Sequence, residues 1–335
     1  MKTHGKSKIN FSWLVFLAAI IVLPIVVRSN YIVSVMLMVA IYGVLSMGMG
    51  ILMGQAGIFA FAHPAWFGLG AYISGILSAR GIIPPLPSIL VAAVCVGLVA
   101  YVVGAPVLRL QGFYLACATF AIIIIAQVAT AQLTGLTGGP EGLVGIPALA
   151  MGSFIFKKDL HFYCLSWALC LGCYWFFSNL IDSRVGRAMR SFHDSEIASR
   201  SIGVNVAHYK LQMFVLTAVM ASLAGSIFCF YLRFAVPDSF GFPLLVELLM
   251  MIIIGGIGYL KGALIGTFVV LWLTEIIHGY LGKLLPILTS EVDAIFFGIL
   301  IIVVLIFMPG GLTGWFNQAI GYGKSLYQRV RGHKE

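Results

Sequence analysis

Long apolar runs, separated by short clusters of glycine, proline, lysine and arginine, recur along the whole chain. Each approaches the ~20 residues that a helix needs to cross the hydrocarbon core of a bilayer. Ten such runs are legible, at about 11–27, 31–53, 58–79, 87–108, 112–133, 162–180, 210–232, 244–260, 263–281 and 291–308. Their apolar residues are continuous and do not alternate with polar ones, which excludes a transmembrane barrel. The pattern predicts an all-α, polytopic membrane protein of about ten transmembrane helices. Two places break the regularity. The third run opens in a glycine-rich stretch, and the eighth and ninth are parted only by Gly-Gly-Ile-Gly-Tyr-Leu-Lys-Gly. Either place accommodates a broken or re-entrant helix as well as clean spans.

The first run, Phe11 to Val27, is longer than a secretory-signal core and is followed by Arg28-Ser29-Asn30 in place of a small-residue cleavage site. It reads as a retained helix. Placing the amino terminus in the cytoplasm puts Lys2, Lys6, Lys8, Arg109, the arginines of 184–200, Lys210, Lys261 and the basic tail on the inner side. Arg28, Arg80, Lys157, Lys158, Arg233 and Lys283 fall outside. The positive-inside rule therefore expects both ends in the cytoplasm, with residues 1–10, 181–209 and 309–335 on that side. The net charge of +9 then reports topology and a match to anionic membrane lipid, with no need for nucleic acid. No connection is long enough for an appended soluble core, so residues 1–335 read as one membrane domain. The longest outer connection, Thr134 to His161, opens on glycines and a proline that oppose regular helix.

Composition adds little chemistry. Hydrophobic residues make up 61% of the chain and charged ones 9%, so the dense charge at 184–205 stands out. The cysteines (Cys95, Cys117, Cys164, Cys170, Cys173 and Cys229) lie in predicted spans. The Cys170/Cys173 pair lacks a second pair or nearby histidines, so small buried hydrophobes explain them better than a metal site.

In Arg-Val-Gly-Arg-Ala-Met-Arg-Ser-Phe-His-Asp, Arg184, Arg187 and Arg190 share one helical face, while Val185, Met189 and Phe192 form an apolar strip. Asp194 and Glu196 precede Ile197, Ala198 and Ile202, and Gly203 stops the turn. The segment predicts a surface amphipathic helix followed by a second, shorter one. A basic loop that merely anchors topology explains the arginines but leaves the acids and the glycine unexplained.

The run Arg184-x-Gly186-Arg187-Ala188-x-Arg190, then Glu196-Ile197-Ala198, Gly203 and Tyr209-Lys210, resembles the cytoplasmic coupling loop of the permease subunits of branched-chain amino acid ABC importers. Further fragments resemble the same family in order: Gly54-Gln55-Ala56-Gly57 with Ala62 to Tyr72, Arg109 to Ala116, Thr137-Gly138-Gly139, Pro237 to Phe240, Gly255 to Gly258 with Gly262 and Gly266, and Pro309 to Leu312. The chain departs at Ala60-Phe61-Ala62, where the family usually has Ser-Leu-Gly, at Pro64, and at Glu141. These departures leave the substrate open. The resemblance implies the ABC importer permease fold and the larger of two paired permeases. It further implies a second homologous permease, two ATP-binding subunits that use ATP and Mg, and a periplasmic solute-binding protein. A bacterial inner-membrane location and a chain without a cofactor of its own follow from it.

Within that frame Arg187, Glu196, Ala198 and Gly203 are expected to contact or shape the ATPase junction, with Gly186 and Ile197 in the same motif. Arg184 and Arg190 are expected to face lipid or the rim of the partner. Polar groups inside spans are costly and point to function by default. Gln55, Gly57, His63 and Pro64 are candidates for a translocation path or gate, as are Glu247, Gly255, Gly256 and Gly258. Gln127 and Gln132 either line such a path or bond between helices. Competing structural readings place Glu247 near the outer surface, pair Glu275 with His278, and make the glycines packing contacts. Pro64 is expected to free backbone groups within a helix.

Gly-Lys-Ser at 5–7 and 323–325 does not form a phosphate-binding loop: Gln318 occupies the required glycine position in the second, and the first is too near the terminus. No nucleophile–base set or paired carboxylates stand out, so no catalytic residues are expected. The importer thus has two rivals, the same machine moving urea, short amides or another small polar solute, and an ion-coupled secondary transporter.

Overall fold

The computed structural model describes residues 30–151, 154–156, 158–284 and 311–312. The runs expected at 11–27 and 291–308 lie outside the described residues. Helix α1 (Asn30–Gly54) is followed by α2 (His63–Ala79), α3 (Pro85–Val107), α4 (Gly112–Gln132) and the short α5 (Thr134–Thr137). A two-residue antiparallel pair, β1 (Ala150–Met151) and β2 (Phe154–Ile155), precedes α6 (Asp159–Asp182). Then come α7 (Arg184–Asp194), α8 (Glu196–Ser201), α9 (Val206–Leu232), α10 (Phe242–Gly255) and α11 (Leu260–Leu284).

Six segments among the described residues are long and apolar enough to cross a membrane: α1, α3, α4, α6, α9, and the stretch Pro237–Gly255 that ends in α10. Two expected spans need correction. The run at 58–79 becomes helical only at His63, because residues 57–62 are irregular and α2 has 17 residues. The run at 244–260 stops at Gly255, and a turn at 256–259 separates the 14 residues of α10 from α11. At ~1.5 Å per residue neither helix covers a bilayer core by itself. Pro64 also differs from expectation. It occupies the first turn of α2, where its missing N–H costs no helical hydrogen bond.

The centre is built from α1, α2, α3 and α9. Helix α1 is almost wholly buried, and α9 packs along both α2 and α3. Close approach depends on small residues: a Cβ on Gly225 of α9 would lie 2.0 Å from the Phe67 carbonyl oxygen of α2. Phe67, Phe228, Phe240 and Tyr72 form an aromatic cluster at this crossing. Phe240 reaches Gly68 and Tyr72, so the 3₁₀ turn Pro237–Phe240 dips beside the middle of α2.

Helix α4 lies at the periphery. Its buried residues Leu115, Thr119, Ile123 and Thr130 make one narrow stripe, and Phe113, Tyr114, Ile124, Ile125 and Val128 are exposed. Cys117 and Cys164 are exposed as well, which corrects the reading of every cysteine as a buried hydrophobe. Cys170, Cys173 and Cys229 are buried. At one end of the bundle Leu143 and Ala235 exchange backbone hydrogen bonds of 2.8 and 3.0 Å. At the other end Gln55, Gln111, residues 184–210 and Gly258 come together.

Candidate functional site

The charged segment is a built structure. The Ser183 side chain caps α7 by accepting from Val185 N at 3.1 Å, and Ser195 caps α8 by accepting from Ala198 N at 3.3 Å. The two helices are clasped by the Ser191 and Ser199 hydroxyls, 2.7 Å apart. Met189 and Phe192 are buried, as the amphipathic pattern requires. Gly186 packs directly on the Ile181 carbonyl. Gly203, with φ of +85°, ends α8 in a left-handed turn in which Val204 N donates to Ser199 O at 3.0 Å.

Arg187 and Arg190 fold back on the preceding helix, donating to the carbonyls of Asp182 and Ile181 at 3.2 and 3.1 Å. Those carbonyls belong to the last turn of α6, where cations are favoured. Arg190, like Arg187, is thereby tied to the end of α6. Arg184 is exposed.

Glu196 is the hub. It pairs with Lys210 of α9, accepts from Arg200 at 3.4 Å, and receives Gln111 Nε2 at 3.5 Å. One carboxylate thereby ties α8 to α9 and to the loop after α3. Beside this anchor Ala198 is exposed, and Ile197 and Ile202 are 81% and 75% exposed. Two isoleucines held outward on a capped, ion-paired turn leave an apolar contact for another surface. Lys210, Gln111, Ser191 and Ser199 are the working parts that sequence reasoning left out of the site. Lys210 and Gln111 carried a signal through their places in the motifs; Ser191 and Ser199 carried none.

The glycine-rich break adjoins this segment. Gly57, with φ of +63°, lies under the His193 ring of α7: a Cβ there would sit 2.4 Å from His193 Cδ2. Gln55 donates through Nε2 to the Gly258 carbonyl at 2.9 Å, and Gly54 meets Gly258 backbone to backbone. Gly255 lies against the Gly262 carbonyl and Gly256 in the turn that follows, so these glycines serve as close packing and as a turn. A cavity of about 320 Å³ beside them is lined by Gln55, Tyr174, Ser178, Asp182, Gly258 and Lys261, among others.

His63 is fully buried at the start of α2, facing the Ala60 backbone without a well-formed hydrogen bond and bordering Gly48 of α1. Glu247 is half-buried within electrostatic reach of Tyr42, near the middle of α1. That position sets it beside α1; the sequence left it open between a path residue and a place near the outer surface. The structure thus gathers Gln55, Gly57 and Gly258 beside the charged segment and leaves Glu247 apart from it. Gln127 donates to Asp238 at 3.0 Å, a bond between α4 and the 3₁₀ turn. Glu275 accepts from the Tyr31 hydroxyl; the His278 side chain lies outside the described residues.

Membrane-length helices packed through small residues, with a charged two-helix cap at one end, define a multi-pass helical membrane protein. The sequence model described as "Branched-chain amino acid transport system / permease component" matches residues 31–305, and the chain belongs to that family. It is 24% identical over 326 residues to the high-affinity branched-chain amino acid transport system permease protein LivM of Escherichia coli, covering 89% of this chain and 74% of that protein. It is 25% identical over 289 residues to the corresponding LivH of Salmonella typhimurium, covering 82% and 91%. With the probable LivM permease of Methanocaldococcus jannaschii it shares 22% over 272 residues, covering 74% and 77%. No solved structure matches. The chain is a transport permease and not an enzyme, from a family in which two permease types, both matched here, occur.

Proposed function

We propose that this chain is the larger membrane subunit of a binding-protein-dependent ABC importer for branched-chain amino acids. It pairs with a second permease and works by alternating access. ATP and Mg are used by two ATPase subunits, and this chain holds no cofactor. It lies in the bacterial inner membrane with both termini in the cytoplasm. The observation that carries the reading is the clasped α7–α8 segment, which holds Ile197 and Ile202 outward while Glu196 fastens it to α9. A rigid lever of this kind transmits a push from a soluble partner into the helices behind it. The relatives' names supply the substrate class.

The test is purification of the tagged chain from its native membrane in mild detergent, with mass spectrometry of its companions. The wild type should bring down a second permease and ATPase-type proteins. Ile197→Asp should keep the permease and lose the ATPases. If the wild type emerges alone and its uptake collapses with an uncoupler, the ion-coupled transporter replaces the importer. A binding protein selective for urea or a short amide would keep the machine and change the cargo.

A further inference from the structure

A cavity of about 550 Å³ lies between the end of α3, the loop after it, α8 and the start of α9. Its volume is in the range of small-molecule sites. The ionised groups on its wall are Arg109, Arg200, Lys210 and Glu196, so cations outnumber the single carboxylate by two, histidine aside. Glu196 engages Lys210 and Arg200. The Arg109 guanidinium makes no hydrogen bond or ion pair among the described residues. A wall with surplus positive charge and a free bidentate donor suits a phosphate.

The surroundings select the source of that phosphate. Ala105 and Leu108 line the cavity, and one and two turns back along the same face of α3 stand Leu98, Tyr101 and Val102. These three are 62%, 57% and 68% exposed. Leu110, Phe113 and Tyr114, close in sequence to the lining residues Arg109 and Gln111, are exposed too. The cavity therefore opens where apolar, membrane-length helices end and cationic groups begin, the level of lipid headgroups.

We propose that this cavity is a binding site for the phosphate headgroup of an anionic phospholipid, held by Arg109 and Arg200 with its acyl chains along the exposed face of α3. A bound phosphate would share Arg200 and Lys210 with Glu196. Lipid occupancy would then act directly on the anchor of the charged segment.

The full chain is reconstituted in nanodiscs containing phosphatidylglycerol and phosphatidylcholine, then stripped stepwise and weighed by native mass spectrometry. The wild type should retain phosphatidylglycerol over phosphatidylcholine, and millimolar inorganic phosphate should not displace it. Arg109→Gln/Arg200→Gln should cut that retention by roughly a hundredfold, the loss expected for two charge-assisted bonds. Lys158→Gln, which removes a cation outside the cavity, should leave it unchanged. Arg109→Gln alone touches no internal bond and serves if the double variant misfolds; it should lower retention in the same direction. Equal retention in the wild type and both variants overturns the site. Displacement by inorganic phosphate without preference between the lipids assigns it to a soluble phosphate compound and overturns the lipid reading. Loss of lipid preference only when a soluble partner subunit is bound would show that protein, not lipid, fills the cavity in the complex and would overturn it as well.

Discussion

Gly57→Ala probes the contact between the charged segment and the break before α2. Two costs are separable. The backbone at Gly57 has φ of +63°, and an L-residue with a Cβ pays about 1–2 kcal/mol there. The added methyl would also lie 2.4 Å from His193 Cδ2, about 1 Å inside ordinary carbon contact at ~3.5 Å. His193 is exposed, so its ring can swing away at a cost below about 1 kcal/mol. Gly57→Ala should therefore destabilise the purified protein by about 1–3 kcal/mol, most of it from the backbone. His193→Ala in that background should return only the steric part, under about 1 kcal/mol, and should change stability little by itself. Transport is the second readout: with the ring displaced, uptake by reconstituted vesicles should fall further than folding predicts, and ATP used per solute should rise. Denaturant unfolding of the four proteins of the cycle gives the energies. Complete rescue by His193→Ala would refute the backbone argument. A Gly57→Ala protein with wild-type stability and uptake would refute both.

Other outcomes follow from the same geometry. Glu196→Gln leaves Lys210, 10% exposed, without its anion, and should cost about 1–3 kcal/mol, tempered by the exposure of Arg200 at 59%; chemical denaturation in detergent measures it. Gly225→Ala should abolish accumulation of folded protein because its Cβ would lie 2.0 Å from the Phe67 oxygen. Gly172→Ala, with nothing within 4 Å, should be neutral or stabilising by up to about 1 kcal/mol, so equal expression of the two would refute the close crossing. A membrane-permeant thiol reagent should modify Cys117 and Cys164 well before Cys170, Cys173 and Cys229, and mass mapping of a time course checks the order.

The helices that run the full thickness were readable because uninterrupted apolar length is a strong signal, and α1, α3, α4, α6 and α9 lie within a few residues of their expected limits. The shorter ones were not. Residues 57–62 and 256–259 are as apolar as the helices they interrupt, and only their glycines hinted that the chain leaves helix there. The α7–α8 pair was legible because serine caps, a glycine stop and a two-faced pattern agree. What Glu196 reaches was not, because Gln111 is 85 residues away and pairing at that distance is set by the packing of α3 against α9. His193 over Gly57 left no trace in the sequence: a histidine beside Asp194 gives no sign of the backbone it covers.

At two points the joint between α10 and α11 is made backbone to backbone. Gly255 rests on the Gly262 carbonyl, and Gly266 on the Met251 carbonyl, with room for no methyl between them. The fit holds at one register only: sliding either helix lengthwise would bring a neighbouring side chain such as Ile265 or Thr267 against a carbonyl that leaves no room for a methyl. The seam therefore works as a key, and α10 and α11 are expected to shift together as one piece at that end of the bundle.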